Sequence, residues 1–191
     1  MSKNFFAYIS RMKYIFRWNL MRNADRENIQ EHSMQVVWIA HALGLIGNKL
    51  FDKSYDIEKV LCYAAYHEAG EVITGDLPTP IKYYNPDIKN AYKQIENMAS
   101  ERLLEMLPEE LKDEYEKYLF QEEGPEHIIV KAADRICAYL KCVEEMKVGN
   151  KEFEKAKASI YKSIKSLDID EVDYFMKNFT GSFELTLDEL N

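Results

Sequence analysis

Glycine and proline are scarce and scattered in this chain, and between them the apolar residues recur at steps of three and four. Seven glycines and five prolines among 191 residues leave too few tight turns for a sandwich or a barrel. The spacing of Phe5, Ile9, Met12 and Phe16 predicts a helix over 5–16. Ile29, Val36, Ile39, Ala40 and Leu43 predict another over 29–46, and Ile57, Val60, Leu61 and Ala64 one over 57–73. Pro78 and Pro80 then interrupt the pattern, each lacking a donor N–H and restraining the residue before it, so 75–80 reads as a stiff extended loop. Asn85-Pro86 has the form of an N-cap followed by proline at the first helical position, opening a helix to about Met106. Further helices are expected at 109–119, 125–147, 151–166 and 168–179, before a polar tail. The expectation is an all-α fold of seven or eight helices in a single domain spanning 1–191. No internal repeat or linker marks a boundary.

Composition narrows the function classes. The glycines at 44, 47, 70, 75, 124, 149 and 181 match neither phosphate-loop spacing, G-x-G-x-x-G or G-x-x-x-x-G-K-[ST]. The net charge of −8 and the absence of a dense Lys/Arg block argue against a nucleic-acid polymer as partner, since such binding rests on neutralising phosphates. Any phosphate handled here needs local positive charge from a few side chains or an ion. No apolar run is long enough to span a membrane and the first residues lack the apolar stretch of a signal peptide, so the expected location is the cytoplasm. Cys62, Cys137 and Cys142 are odd in number, form no C-x-x-C pair and lie in helical apolar runs, as buried free thiols do.

Several polar residues occupy positions that an ordinary helix would give to the core. His32 lies on the stripe of Ile29, Val36, Ile39 and Leu43, and His67, Glu68 and Glu71 continue the stripe of Ile57, Val60, Leu61 and Ala64. Asp134 sits between Val130 and Cys137 on a further amphipathic stretch. Buried carboxylates need a metal, a cationic partner or a water-filled pocket. Imidazole nitrogen with carboxylate oxygen is the donor set of a divalent ion such as Zn, Mn, Fe or Co, and such an ion makes water a nucleophile near neutral pH and clamps phosphoryl oxygens. The competing reading is a set of satisfied core histidines beside exposed charges. His41 lies off the His32 face and His127 opens a helix, and both are read as structural.

The pattern His32, then Tyr66-His67-Glu68 with Glu71, then Ala133-Asp134 resembles the H…HD…D arrangement of the HD-domain metal-dependent phosphohydrolases. Within that superfamily the chain is similar to the bacterial 5′-deoxynucleotidases. The likeness runs through Arg17-Trp18-Asn19-Leu20-Met21-Arg22-Asn23, Glu31-His32-Ser33, Thr74-Gly75-Asp76-Leu77-Pro78-Thr79-Pro80, Ala138-Tyr139-Leu140-Lys141-Cys142 and Ser182-Phe183-Glu184-Leu185-Thr186-Leu187-Asp188-Glu189. It implies a homodimeric, cytoplasmic enzyme that removes the 5′-phosphate from deoxyribonucleoside monophosphates. The implied ion is Co2+ or Mn2+, with Zn2+, Fe2+ and Cu2+ as alternatives.

Carried over by position, the resemblance makes His32, His67, Glu68 and Asp134 metal ligands and gives Glu71 the acid–base role. Arg17 orients the phosphate, Trp18 packs on the sugar and disfavours a 2′-hydroxyl, and Asp76, Leu77, Pro78 and Thr79 line the nucleotide pocket. Independently, Arg17 offers planar bidentate donors beside an aromatic ring in an acidic chain. Glu68 departs from the motif, which has Asp there, and the extra methylene moves the carboxylate by about 1.5 Å. Two alternatives stay open: another nucleotide phosphohydrolase of the superfamily, and a non-catalytic nucleotide-binding protein whose site Glu68 has disabled.

Overall fold

The computed structural model describes residues 3–82 and 84–190. Among them the regular structure is helical, with an isolated antiparallel bridge between Phe16 and Asn28. The helices are α1 (Phe5–Ile9), α2 (Ile29–Leu50), α3 (Ile57–Tyr66), α4 (Glu71–Thr74), α5 (Thr79–Lys82), α6 (Pro86–Leu104), α7 (Glu109–Leu119), α8 (Pro125–Lys147), α9 (Glu154–Lys165) and α10 (Asp170–Asn178). Seven of the described helices have nine or more residues, in line with the sequence expectation; the others are single turns that periodicity does not resolve. Three differences matter. The stretch 5–16 is α1 followed by the 3₁₀ turn Ser10–Tyr14, the helix expected over 57–73 stops at Tyr66, and the loop expected over 75–80 winds into α5 at Thr79.

The described residues form two compact units. One comprises the chain up to Met21, Arg26–Met34 and Cys62–Glu122; the other comprises Arg22–Asp25, Gln35–Leu61 and the chain from Glu123 onward. The first unit has a core of Phe5, Ala69, Leu103 and Leu107, flanked by Tyr66, Val72, Ile73, Tyr115 and Leu119. Phe5 meets Tyr115 edge to face at 5.0 Å between ring centroids, and Tyr66 stacks on Tyr118 at 6.2 Å. α2 opens in this unit on a reciprocal cap: the Asn28 side chain accepts from the backbone N–H groups of Gln30 and Glu31, and the Glu31 carboxylate accepts from that of Asn28. That cap fixes where His32, one turn in, must point. The N-cap read at Asn85 is also present, its side chain accepting from Ile88 N–H at 2.8 Å.

In the second unit α8 carries the buried row Ile129, Val130, Ala133, Ile136, Cys137 and Leu140 and packs on α9. Cys137 and Cys142 are buried and Cys62 is half-buried. Glu145, 1% exposed, anchors the irregular segment Arg22–Asp25. Its oxygens accept from Ala24 N–H at 2.8 Å, Asp25 N–H at 3.2 Å, Lys141 Nζ at 2.6 Å and Asn150 Nδ2 at 2.7 Å. Burial alone would raise its pKa; Lys141, the Ala24 and Asp25 amides and Asn150 outweigh that and lower it from 4.5 to about 2. Because the folded value lies below the unfolded one, the stabilisation is present above about pH 4.5 and drains away as pH falls toward 2. Glu145→Ala is expected to cost about 3 to 5 kcal/mol, the scale for stripping one partner from a buried ion pair. Urea denaturation from pH 3 to 7 should show Glu145→Gln with a flatter pH dependence than the parent.

Candidate active site

The first unit assembles most of the residues singled out from sequence. His32 is fully buried on the first turns of α2. His67 and Glu68 lie in the turn after α3, and Glu71 opens α4. The placement of these three on one continuous helix is therefore corrected. After Tyr66 the backbone bonds run three residues back, Ala69 N–H to Tyr66 C=O, Glu71 N–H to Glu68 C=O and Ile73 N–H to Gly70 C=O, each at 3.0 Å. Winding at about three residues per turn eclipses side chains three apart, which sets Glu71 over Glu68. α4 ends at Gly75, whose φ of +73° is strained for any residue with a Cβ. Pro78 C=O then accepts from Ile81 and Lys82 N–H, starting α5, where Pro80 occupies a position that needs no donor.

The imidazole of His67 donates from Nδ1 to Ala64 C=O at 2.8 Å, so in the neutral ring Nε2 bears the lone pair. That atom lies 3.5 Å from Glu68 Oε1, and the His32 and His67 ring centroids are 5.4 Å apart. His32, His67 and Glu68 each offer a ligand atom within 4.8 Å of the others. Converging lone pairs on nitrogen and oxygen suit a divalent cation, so these residues fit the group that the sequence motif implies. Asp134 belongs to the second unit, half-buried on α8.

Arg17 supplies the positive charge. Its side chain is 13% exposed, and the guanidinium donates from Nε to Glu27 Oε2 at 3.1 Å and from Nη1 to Glu68 Oε1 at 3.2 Å. The bridge between Phe16 and Asn28 sets this register, with Arg17 N–H bonded to Glu27 C=O at 2.9 Å and Ile29 N–H to Ile15 C=O at 2.9 Å. Arg17 and Trp18 therefore lie on a short extended segment and turn rather than at a helix end. Trp18 has φ +59°, a left-handed backbone rarely tolerated by a bulky residue, and its C=O accepts from Met21 N–H at 2.9 Å. Such strain is characteristic of sites that must hold a side chain in one place.

Burial raises the Glu71 pKa well above the carboxylate range, and the charge on Glu68, a hydrogen bond to it and nearby Asp76 add to the rise against the pull of Arg17. For Glu68 burial also acts upward, but His67, the bond to Glu71, Arg17 and His32 together hold it ionised. The two carboxyls titrate as a coupled pair, with Glu71 pushed upward and Glu68 held down. Asp76 is raised by burial and Glu68, opposed by Arg17, Lys82 and His32, which places it in the same electrostatic cluster. Leu77 and Pro78 are half-buried beside it in the chain and Thr79 is exposed. Sequence reasoning missed Glu27, 9% exposed, whose Oε1 lies 3.9 Å from His32 Nδ1. It sits two residues before Ile29, the start of α2 and its apolar stripe, where no periodicity signals it.

The family model described as 5′-deoxynucleotidase YfbR-like matches residues 4–183. The chain belongs to that family. A 5′-deoxynucleotidase of Vibrio atlanticus (strain LGP32) is 51% identical over 190 residues, 98% of each chain, and one of Vibrio cholerae is 50% identical over the same span. Among solved structures, an HD-domain phosphohydrolase of Listeria innocua superposes with TM-score 0.81 at 19% identity, covering 94% of this chain and 88% of its own. The cyanophage S-2L HD phosphohydrolase DatZ, bound to dA and one catalytic Zn2+, superposes with TM-score 0.66 at 20% identity, covering 94% and 96%. The expected all-α HD-domain fold is the fold of this family member.

If Arg17 neutralises this acidic cluster, Arg17→Ala leaves Glu27 and Glu68 buried against uncompensated charge. The expected loss is about 3 kcal/mol or more without divalent ions. Thermal denaturation should show part of that loss recovered with Mn2+ and lost again on adding EDTA.

Proposed function

We infer that this protein is a divalent-metal-dependent hydrolase that releases phosphate from deoxyribonucleoside 5′-monophosphates. Membership of the 5′-deoxynucleotidase family supports the activity. The carrying structural observation is the pairing of the two imidazoles and Glu68 with a guanidinium 3.2 Å away, a cation site beside a phosphate clamp. We propose that His32, His67, Glu68 and Asp134 hold the ion, with Co2+ or Mn2+ favoured, and that residues 1–191 act as one HD domain. When bound, a divalent ion supplies Lewis-acid charge to a phosphoryl oxygen and makes water nucleophilic at neutral pH.

The chain's own residues do the rest. Arg17 exchanges Glu68 for a phosphoryl oxygen and fixes the phosphate through directional N–H groups. Glu71, protonated in its pair with Glu68, is poised to give its proton to the leaving 5′-oxygen and to take one back from water. Trp18, locked by its backbone, packs on the deoxyribose and leaves no room for a 2′-hydroxyl, while Asp76, Leu77, Pro78 and Thr79 border the base and sugar. The enzyme works as a homodimer in the cytoplasm; no described helix is long and apolar enough to cross a membrane.

Elemental analysis and phosphate release from dAMP, dUMP and TMP against their ribo forms test this reading. Metal-dependent release favouring the deoxy forms is expected, and no release with any divalent ion would overturn it. Trp18→Ala should lower the deoxy-to-ribo ratio of kcat/KM about 10-fold or more, the scale of one steric contact. His67→Ala should lose bound metal and activity together. Glu68→Asp should preserve or raise turnover, since a misplacement of about 1 Å can cost on the order of 100-fold in rate.

A further inference from the structure

We propose that Glu27 is a positioning residue for the phosphate clamp, holding Arg17 through Nε so that its outer nitrogens can be handed to a phosphoryl group. The proposal rests on the reading above, in which Arg17 binds phosphate, and assigns a role to a residue outside the motif.

The guanidinium is held along two edges, Nε on Glu27 at 3.1 Å and Nη1 on Glu68 at 3.2 Å. These bonds differ in kind. Nε is the nitrogen nearest the backbone, and a bond there arrests rotation of the side chain's last torsions without occupying the outer face. The Nη1 contact is made to a residue of the ion site, where an incoming phosphate would compete for the same donor. A phosphate that displaces Glu68 therefore leaves the Glu27 bond intact, and the guanidinium stays aimed while its partner changes.

The backbone makes Glu27 a fixed anchor. Its C=O accepts Arg17 N–H at 2.9 Å, so main chain and side chain of one residue both hold the other. Asn28, the next residue, is locked by the reciprocal cap with Glu31, and Ile29 N–H is bonded to Ile15 C=O. Glu27 Oε1 lies 3.9 Å from His32 Nδ1, which keeps the carboxylate facing the site rather than solvent. With the side chain 9% exposed, Glu27 has little access to water and depends on Arg17 as Arg17 depends on it.

The test uses the full-length Mn2+-loaded protein with inorganic phosphate as probe, measuring phosphate and Mn2+ affinities by calorimetry alongside KM and kcat on dAMP. Glu27→Ala should weaken phosphate binding about 10-fold or more and raise KM, the scale of one charge-assisted bond lost, while Mn2+ affinity stays within about threefold. A merely structural role would move both together. The Arg17→Ala/Glu27→Ala double variant should bind phosphate no more weakly than Arg17→Ala alone, because Glu27 acts through Arg17. Glu27→Gln keeps an acceptor for Nε and should recover most of the affinity, whereas Glu27→Asp withdraws that acceptor by about 1.5 Å and should not. The Gln and Asp pair decides the matter if the Ala variant fails to fold. Phosphate affinity in Glu27→Ala or Glu27→Asp within twofold of wild type, or additive losses in the double variant, would overturn the proposal alone. A wild-type protein that binds Mn2+ but no phosphate would overturn the clamp reading and this inference with it.

Discussion

A single guanidinium, that of Arg17, makes the acidic centre of the first unit tenable. Glu27, Glu68, Glu71 and Asp76 converge there with two imidazoles, and each added negative charge raises the cost of the next. Arg17 meets this by bonding two of the carboxylates directly, while Glu68 and Glu71 titrate as a coupled pair with Glu71 pushed upward. The result is a compact cluster whose excess negative charge is eased by one guanidinium and by the coupling of the carboxyl pair. A phosphate or a divalent ion entering it meets charges already oriented, so little reorganisation remains to be done. The net charge of −8 does not oppose phosphate chemistry, because the relevant field is set within a few ångströms of one side chain.

The backbone around this centre departs from regularity at each point where a side chain must be aimed. Trp18 takes a left-handed conformation, the chain tightens to 3₁₀ winding after Tyr66, and Gly75 reverses direction at φ +73°. None of these would be stable on an isolated peptide. They persist because regular, well-packed elements flank them: the Phe5, Leu103 and Leu107 core below the turn, and the capped start of α2 beside the Phe16 and Asn28 bridge. In the second unit the same division of labour recurs, with Glu145 gathering two backbone amides, Lys141 and Asn150 to hold Arg22–Asp25, the segment that follows the Arg17 and Trp18 turn in the chain.

This division explains what was legible in the sequence. α8 was readable to the residue, because Pro125 marks its start and a buried stripe runs its length, and Asn85-Pro86 announced α6 through the chemistry of its cap. His32, His67, Glu68 and Glu71 stood out because each is a polar residue where the period calls for an apolar one. The break after Tyr66 was hidden, since i, i+3 spacing looks alike in α and 3₁₀ winding and Gly70 alone does not end a helix. α5 was masked by the two prolines, which are breakers inside a helix but starters in its first turn. Glu27 left no trace at all: its partner lies ten residues away across a bridge, and only three-dimensional register brings them together.

The same geometry bears on the glutamate that stands where the motif has aspartate. In its present length Glu68 Oε1 reaches both Arg17 Nη1 at 3.2 Å and His67 Nε2 at 3.5 Å, so it links the guanidinium to the imidazoles. An aspartate would draw the carboxylate back by about 1.5 Å, too far to keep both contacts without movement of the neighbours. The contact it would lose more readily is the one to Arg17, whose long side chain is already anchored at Nε by Glu27, whereas His67 is adjacent in the chain and fixed by Ala64. A shorter residue therefore frees the outer face of the guanidinium before any ligand arrives. Glu68 instead occupies that face, and on the proposed reading phosphate must displace it. The extra methylene thus acts first on how Arg17 is presented to its ligand, through a competition between two anions for one donor.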